Sequence, residues 1–460
     1  MIMKMNKLLS NAFLLMSCVS GVVAASQAVN YTYDTNGHVL TEDGPRTDVN
    51  DVTTYTYDAL GNRATATNAL NQIIRYNNYD AAGHLLSVTD ANNVTTEFTY
   101  HTRGWLLSSR IKNVVGDNAD ALTMYDYDDV GQLISMTLPN GVKLSYEYDD
   151  ARRLTAVKNN AGERIEYTLD SAGNRTQEVI KDSGGSIQFS VSRAFDELSR
   201  VMKLNGNHQQ QQAYKYDANG NTTKITDGRS NSTQQNFDAL NRVSKVIDQN
   251  LGETGITYDD KDRVKTVTDA RGNVTSYNYD EFGNLISQTS PDTGTTIFTY
   301  DDVGNRKSAT DARGVVVNYS YDALNRLKSV SYPAASSENV TYGYDDTASG
   351  VWGANFGVGR MTSVTNSVAT TTYKYNEVGL IKMKRAAVNG ITFVTSYSYD
   401  TANNLSSITY PSGRIVTYTH DSLGRVQSVK TKLNASAAEQ TVVSGISYLP
   451  FGPANNYTFG

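Results

Sequence analysis

The sequence predicts an all-β protein: an array of about eighteen 21-residue β-hairpin repeats forming one long curled or spiral sheet. Three observations carry this expectation. The phrase Tyr-x-Tyr-Asp-x-x-Gly recurs from residue 31 almost to the end, and its Asp at 196, 217, 238, 259, 280, 301 and 322 falls at intervals of 21. Ten copies hold the full Tyr pair, and the residue between the two rings is never apolar (Thr56, Glu147, Lys215, Asn278 and Ser320 among them). Side chains alternate along a strand, so one face is aromatic and the other wet. Finally, the position three after the Asp is Gly in eleven copies. That is the residue which accepts a positive φ most readily.

Before the array comes a leader. Lys4 and Lys7 precede a mostly apolar stretch from Leu8 to Val23, and Val23-Ala24-Ala25 offers small residues to a signal peptidase. Residues 1–25 are therefore expected to be a signal peptide, with the mature chain beginning at Ser26. Leu15-Met16-Ser17-Cys18 also resembles a lipobox, so lipid anchoring through Cys18 is the competing reading. No later stretch approaches the ~18–20 apolar residues of a transmembrane helix. The expected location is secreted or cell-surface.

Each repeat unit then explains itself. Ser276-Tyr277-Asn278-Tyr279 reads as a strand, and Asp280-Glu281-Phe282-Gly283 as the turn that ends it. The Asp side chain can accept backbone N–H groups in an Asx-type turn, and the fourth residue must adopt a left-handed backbone. Where Gly is missing, Asn241, Asn325, Asn403, Asp262, Ser199 and Arg152 stand in its place. Asn and Asp tolerate that conformation best, so only Arg152 strains the rule. A second turn, as in Asp269-Ala270-Arg271-Gly272 and Asp311-Ala312-Arg313-Gly314, closes the unit. Two such turns leave two strands of about six residues. One hairpin is marginal alone, so its Tyr face is expected to be buried by its neighbours. The signature of two representative units is Tyr277, Tyr279, Asp280 and Gly283, and Tyr319, Tyr321, Asp322 and Asn325.

Departures from the 21-residue spacing read as loops. The largest, Thr347 to Arg360, is Gly-rich and carries Trp352 and Phe356, expected to be tucked onto the sheet. Asn205 to Gln212 is polar and low in complexity. No linker or composition break marks a second domain, so residues 26–460 are expected to be one repeat region. A length of 460 would otherwise imply about three domains.

Composition excludes several function classes. Lys+Arg at 41 against Asp+Glu at 47, with a net charge of −6, does not fit general attraction to phosphate backbones. A single Cys rules out a disulfide framework. The five His show no close metal spacing, and neither a GxSxG elbow nor a phosphate-binding P-loop occurs. His101 and His420 lie inside repeat units. Paired carboxylates such as Asp128-Asp129, Asp149-Asp150 and Asp259-Asp260 sit at turns, where turn formation accounts for them better than a glycosidase dyad. Calcium on Asp126, Asp128 and Asp129 is the one metal alternative. No catalytic, cofactor or metal residue is assigned.

Tyr277 to Leu285 and Tyr319 to Leu327 resemble the YD repeat of the RHS family, found also in teneurins, bacterial wall-associated proteins and insecticidal toxin-complex subunits. The likeness covers roughly residues 30–460. It implies a hollow YD shell, in toxin-bearing members a container for a C-terminal effector, and in others a cell-surface adhesion module. The autoproteolytic core motif of toxin-bearing members contains Asp-Pro, which occurs nowhere in this sequence. The region is therefore expected to stop before the core, and no protease residue or toxin is assigned. The leading expectation is an exported scaffold of a polymorphic-toxin or contact-dependent competition system. Its partner would be a separate core or toxin polypeptide, or an immunity protein. The alternative is an adhesin that stacks Tyr and Trp on a cell-surface glycan.

Overall fold

A computed structural model of the chain describes residues 27–112, 120–207, 211–349 and 353–460. The leader residues Lys4, Cys18 and Ala25, together with His208 and Trp352, lie outside these residues. The described residues form one sheet of 38 strands, hence nineteen hairpins, with a single 3-10 turn at Ser336–Glu338. Every strand pairs antiparallel with the next in sequence, from Asn30–Tyr33 to Ala454–Phe459, and these two end strands do not pair with each other. No helix among the described residues is long and apolar enough to cross a membrane.

The nineteenth hairpin closes the array beyond the eighteen marked units. It turns at Leu449-Pro450-Phe451-Gly452, with Leu449 at the usual Asp position and Phe451 at positive φ. Of the segment Asn205 to Gln212, Asn205, Gly206, Gln211 and Gln212 lie in strands rather than in a loop. Val201–Gly206 and Gln211–Tyr216 are strands of the regular array.

Both kinds of turn have the same chemistry. Asp280 N donates to Asn284 O, and Gly283 N donates back to Asp280 O; Asp269 repeats the pattern with Asn273 and Gly272. This is the three-residue hairpin loop whose last residue is left-handed. Gly283 has φ +90° and Asn325 +60°, and the forecast strain at Arg152 is real at +61°. The turns that follow the Tyr pairs line one rim of the sheet, here called the signature rim. Turns of the Asp269 kind line the opposite, return rim.

Every hairpin carries a register shift beside its second ring position, and two hairpins carry a second shift nearby. Asn278 pairs with Ser287 but Tyr279 with Leu285, and Ser320 pairs with Ser329 but Tyr321 with Leu327. One residue is bulged out each time, which bends the strand and increases its twist. Repeated once per unit, the bulge makes the sheet curl. The wall is one sheet thick. The accessible surface of the whole chain is 28273 Å², against about 17,000 Å² for a compact protein of this mass. Few side chains are buried, and Tyr277, Tyr279, Tyr319 and Tyr321 are half-buried rather than sealed as expected, because among the described residues nothing packs across the whole face.

Candidate functional site

The signature residues assemble into a rung that ties each hairpin to the next. Asp280 Oδ1 accepts the N–H groups of Phe282 and Asn284 at 3.0 and 2.8 Å, while Oδ2 accepts the Asn284 amide at 2.9 Å. Asp322 does the same for Leu324 and Arg326, with Arg326 Nε at 2.7 Å from its Oδ2. The side chain four residues after the Asp then reaches over the second Tyr of the following unit. Arg263 lies 4.8 Å from the Tyr279 ring, Arg326 4.3 Å from Tyr344, and His38 stacks on Tyr57 at 4.7 Å. Such cation–ring contacts add roughly 0.5–1 kcal/mol each at exposed sites.

The hydroxyl of that second Tyr completes the rung. Tyr300 donates to Leu285 O at 2.8 Å, Tyr258 to Val243 O at 2.8 Å, and Tyr321 to Arg306 O at 3.1 Å. Each accepting carbonyl lies in the preceding hairpin, beside the bulge. This is why the position favours Tyr over Phe: the ring packs and the oxygen caps a carbonyl. On the opposite face, Ser and Thr hydroxyls bridge the hairpin, as in Ser320 to Ser329 at 2.6 Å and Thr257 to Thr266 at 2.6 Å.

The curl carries the chain past its own beginning. Thr47 bonds Asp302 at 2.8 Å, 255 residues on, and Phe451 N–H reaches Glu163 at 3.0 Å, 288 residues back. Arg46 donates to Asp322 O and to Asn325 Oδ1, and Asn92 exchanges bonds of 2.9 and 3.1 Å with Val358. One coil therefore takes close to thirteen 21-residue units. All these contacts join the return rim of the first coil to the signature rim of the second. Asp322 and Asn325 are thus seam residues as well as turn residues.

The seam is sealed with buried polar groups. Arg46 and Glu163 are buried, and Arg46 also binds Asp48 at 2.8 Å. Beside the seam, Arg326 holds Asp345 through two bonds of 2.9 and 2.6 Å. The Asp345 hydrogen bonds raise the Arg326 pKa further above its already high value. The Thr347–Arg360 insertion serves the same junction. Phe356 is buried, Asn355 accepts Tyr375 N–H at 2.9 Å, and Val358 meets Asn92. The sequence marked this loop but not its counterparts Arg46, Asn92 and Glu163.

The remaining candidates are tied up locally. Asp149 and Asp259 cap their own turns and bind Arg153 and Arg263. Asp126 accepts the Ser135 hydroxyl at 2.5 Å, and Asp128 caps Val130 and Gln132. Among the described residues no group of three His, Cys, Asp or Glu is placed to hold a metal ion. Trp105 is stacked on His101 at 4.8 Å and leans on Tyr127 at 5.5 Å, so no clear ring face is offered to a sugar.

A single curled sheet of hairpins, overlapping itself along a rim-to-rim seam, defines a YD-type shell. The teneurin YD-shell family model matches residues 14–178 and 164–348, and the RHS-repeat model matches 399–434. The chain belongs to the teneurin YD-shell family. Among solved structures, the fold is shared with a TcdB2–TccC3 crystal structure, at 15% identity and a TM-score of 0.64 over 91% of this chain and 24% of that one. It is shared too with the Photorhabdus luminescens Tc holotoxin pore, at 14% identity and a TM-score of 0.65 over 91% and 27%. The chain thus spans about a quarter of the length of these structures. No curated protein matches the sequence.

Proposed function

We propose that this chain is the shell, or part of the shell, of an exported RHS-type toxin or contact-dependent competition system. It encloses a polypeptide rather than catalysing a reaction. The observation that carries the reading is the wall itself. Among the described residues it is a single sheet of 38 strands, one layer thick, and it closes its seam with buried Arg46 and Glu163. Such a wall has no interior of its own to stabilise; it has a space to surround. The solved structures that share the fold are assemblies containing TccC3, which favours a toxin-like partner. Export by cleavage after Ala25, with Cys18 lipidation as the alternative, fits a container used outside the cell.

The test is co-expression with the polypeptides encoded beside this chain, followed by protease digestion of any complex. A retained partner that resists protease only while bound supports enclosure. A bound partner digested as fast as the free one, or no bound partner at all, rejects it.

A further inference from the structure

Among the described residues each rim is covered over part of its length and free elsewhere, and the same turn positions read differently in the two settings. Two residues after the Asp, the signature rim carries Leu324 and Leu423 in the second coil, half-buried against the first coil. In the first coil the same position holds Leu198 at 70% and Leu240 at 64% exposure. On the return rim, four residues after the turn begins, Val94 and Val142 are 5% and 8% exposed beneath the second coil. The equivalent Val315, on the uncovered stretch, is 39% exposed. The chain therefore displays both halves of a contact that it already makes with itself.

We propose that copies of this chain stack head to tail, the free signature rim of one docking on the free return rim of the next. The seam found within the chain would then continue between molecules. The occupant is set by that established interface: the surface that covers Leu324 is a return rim, and a second copy presents one. The apolar tips on the free signature rim are interrupted by Asn219 and Lys261, which sit at the same turn position and stay exposed. The contact is thus weaker than the internal seam and responds to concentration. A head-to-tail contact uses two different surfaces, so it does not stop at a dimer unless the rotation closes. This proposal does not depend on what the shell contains.

The experiment is sedimentation of the full chain over a range of concentrations. The average mass is expected to rise past that of a dimer. Leu198→Lys combined with Leu240→Lys copies the natural Lys261 unit, and Val315→Arg copies Arg414 on the other rim. Each variant should keep the parent's melting curve and weaken association on the order of tenfold or more. Mixed in equal amounts, the two variants should recover a species that stops at one copy of each, because one intact pair of rims remains. A monomer at every concentration overturns the proposal. So does association of either variant at the parent's strength, or a mixture that stays monomeric.

Discussion

Glu163 and Arg425 lie 262 residues apart in the chain, yet the carboxylate accepts the guanidinium Nη1 at 2.8 Å. The same carboxylate takes the Asn159 side-chain amide at 2.8 Å and the Phe451 N–H at 3.0 Å. One buried side chain thus holds two hairpins of the second coil against the first.

Removing that carboxylate should open the seam locally without unfolding the array. Glu163→Ala leaves the Phe451 N–H and the Arg425 guanidinium without this acceptor, at about 2–3 kcal/mol of seam stability. Hydrogen exchange should therefore accelerate at Phe451 while the amides of the 259–280 hairpin stay as slow as before, since repeats depend mainly on their neighbours. Equal acceleration at both places would show that the seam is not a separate unit.

Gly283 separates backbone conformation from space. It has φ +90°, and nothing lies within 4 Å of where a Cβ would stand. Gly283→Val should cost roughly 1–2 kcal/mol through the left-handed backbone alone. Gly283→Asn should cost much less, as Asn325 shows at φ +60°. Indistinguishable melting curves for the two variants would contradict the turn account.

The second Tyr of the pair contributes through both its ring and its oxygen. Tyr300→Phe keeps the packing and loses the bond to Leu285 O, so about 1 kcal/mol is expected. Tyr300→Ala should lose about 2–3 kcal/mol, because the ring is only half-buried. A Phe variant as stable as the parent by chemical denaturation would show that the hydroxyl bond adds nothing.

The turn carboxylates are expected to make the fold lose stability in acid. The Asn62, Asn174 and Asn221 side-chain amides hold the Asp58, Asp170 and Asp217 carboxyls below their ordinary pKa, and the Arg153 and Arg242 guanidinium groups do so for Asp149 and Asp238. A carboxyl with a lowered folded pKa stabilises fully above its unfolded value, near about 3.9, and loses that contribution as pH falls through the folded value. Melting temperature should hold steady from neutrality to about pH 5 and drop below about pH 4. A melting temperature that rises on acidification would reverse the assignment.

The hairpins, their turns and even the strained Arg152 were legible in the sequence because each is fixed by a few adjacent residues. The last turn keeps only part of the pattern: Leu449 replaces the Asp, and the left-handed residue is Phe451, two after it rather than three. The half-burial of the Tyr face escaped because alternation shows which side a ring is on, not what lies over it. The seam was out of reach for a different reason. Arg46 meets Asn325 only after curvature has accumulated over about thirteen units, and no local pattern records that sum. One trace is visible afterwards: Val303, Leu324, Val378 and Leu423 keep the turn tip apolar where the first coil covers it, whereas earlier units mix Leu198 and Leu240 with Asn219 and Lys261.

That seam also limits how such a chain can grow by gene duplication. Locally, one 21-residue unit is as good as another, and an extra copy inserted between residues 170 and 300 would fold as readily as its neighbours. It would nonetheless set the two coils one unit out of phase, so that Arg46 faced the Asp301 turn in place of Asp322 and Asn325, and Glu163 lost Arg425. Slippage of the genetic repeat is therefore penalised along the whole circuit from Arg46 to Arg425, although no single unit in it is locally special.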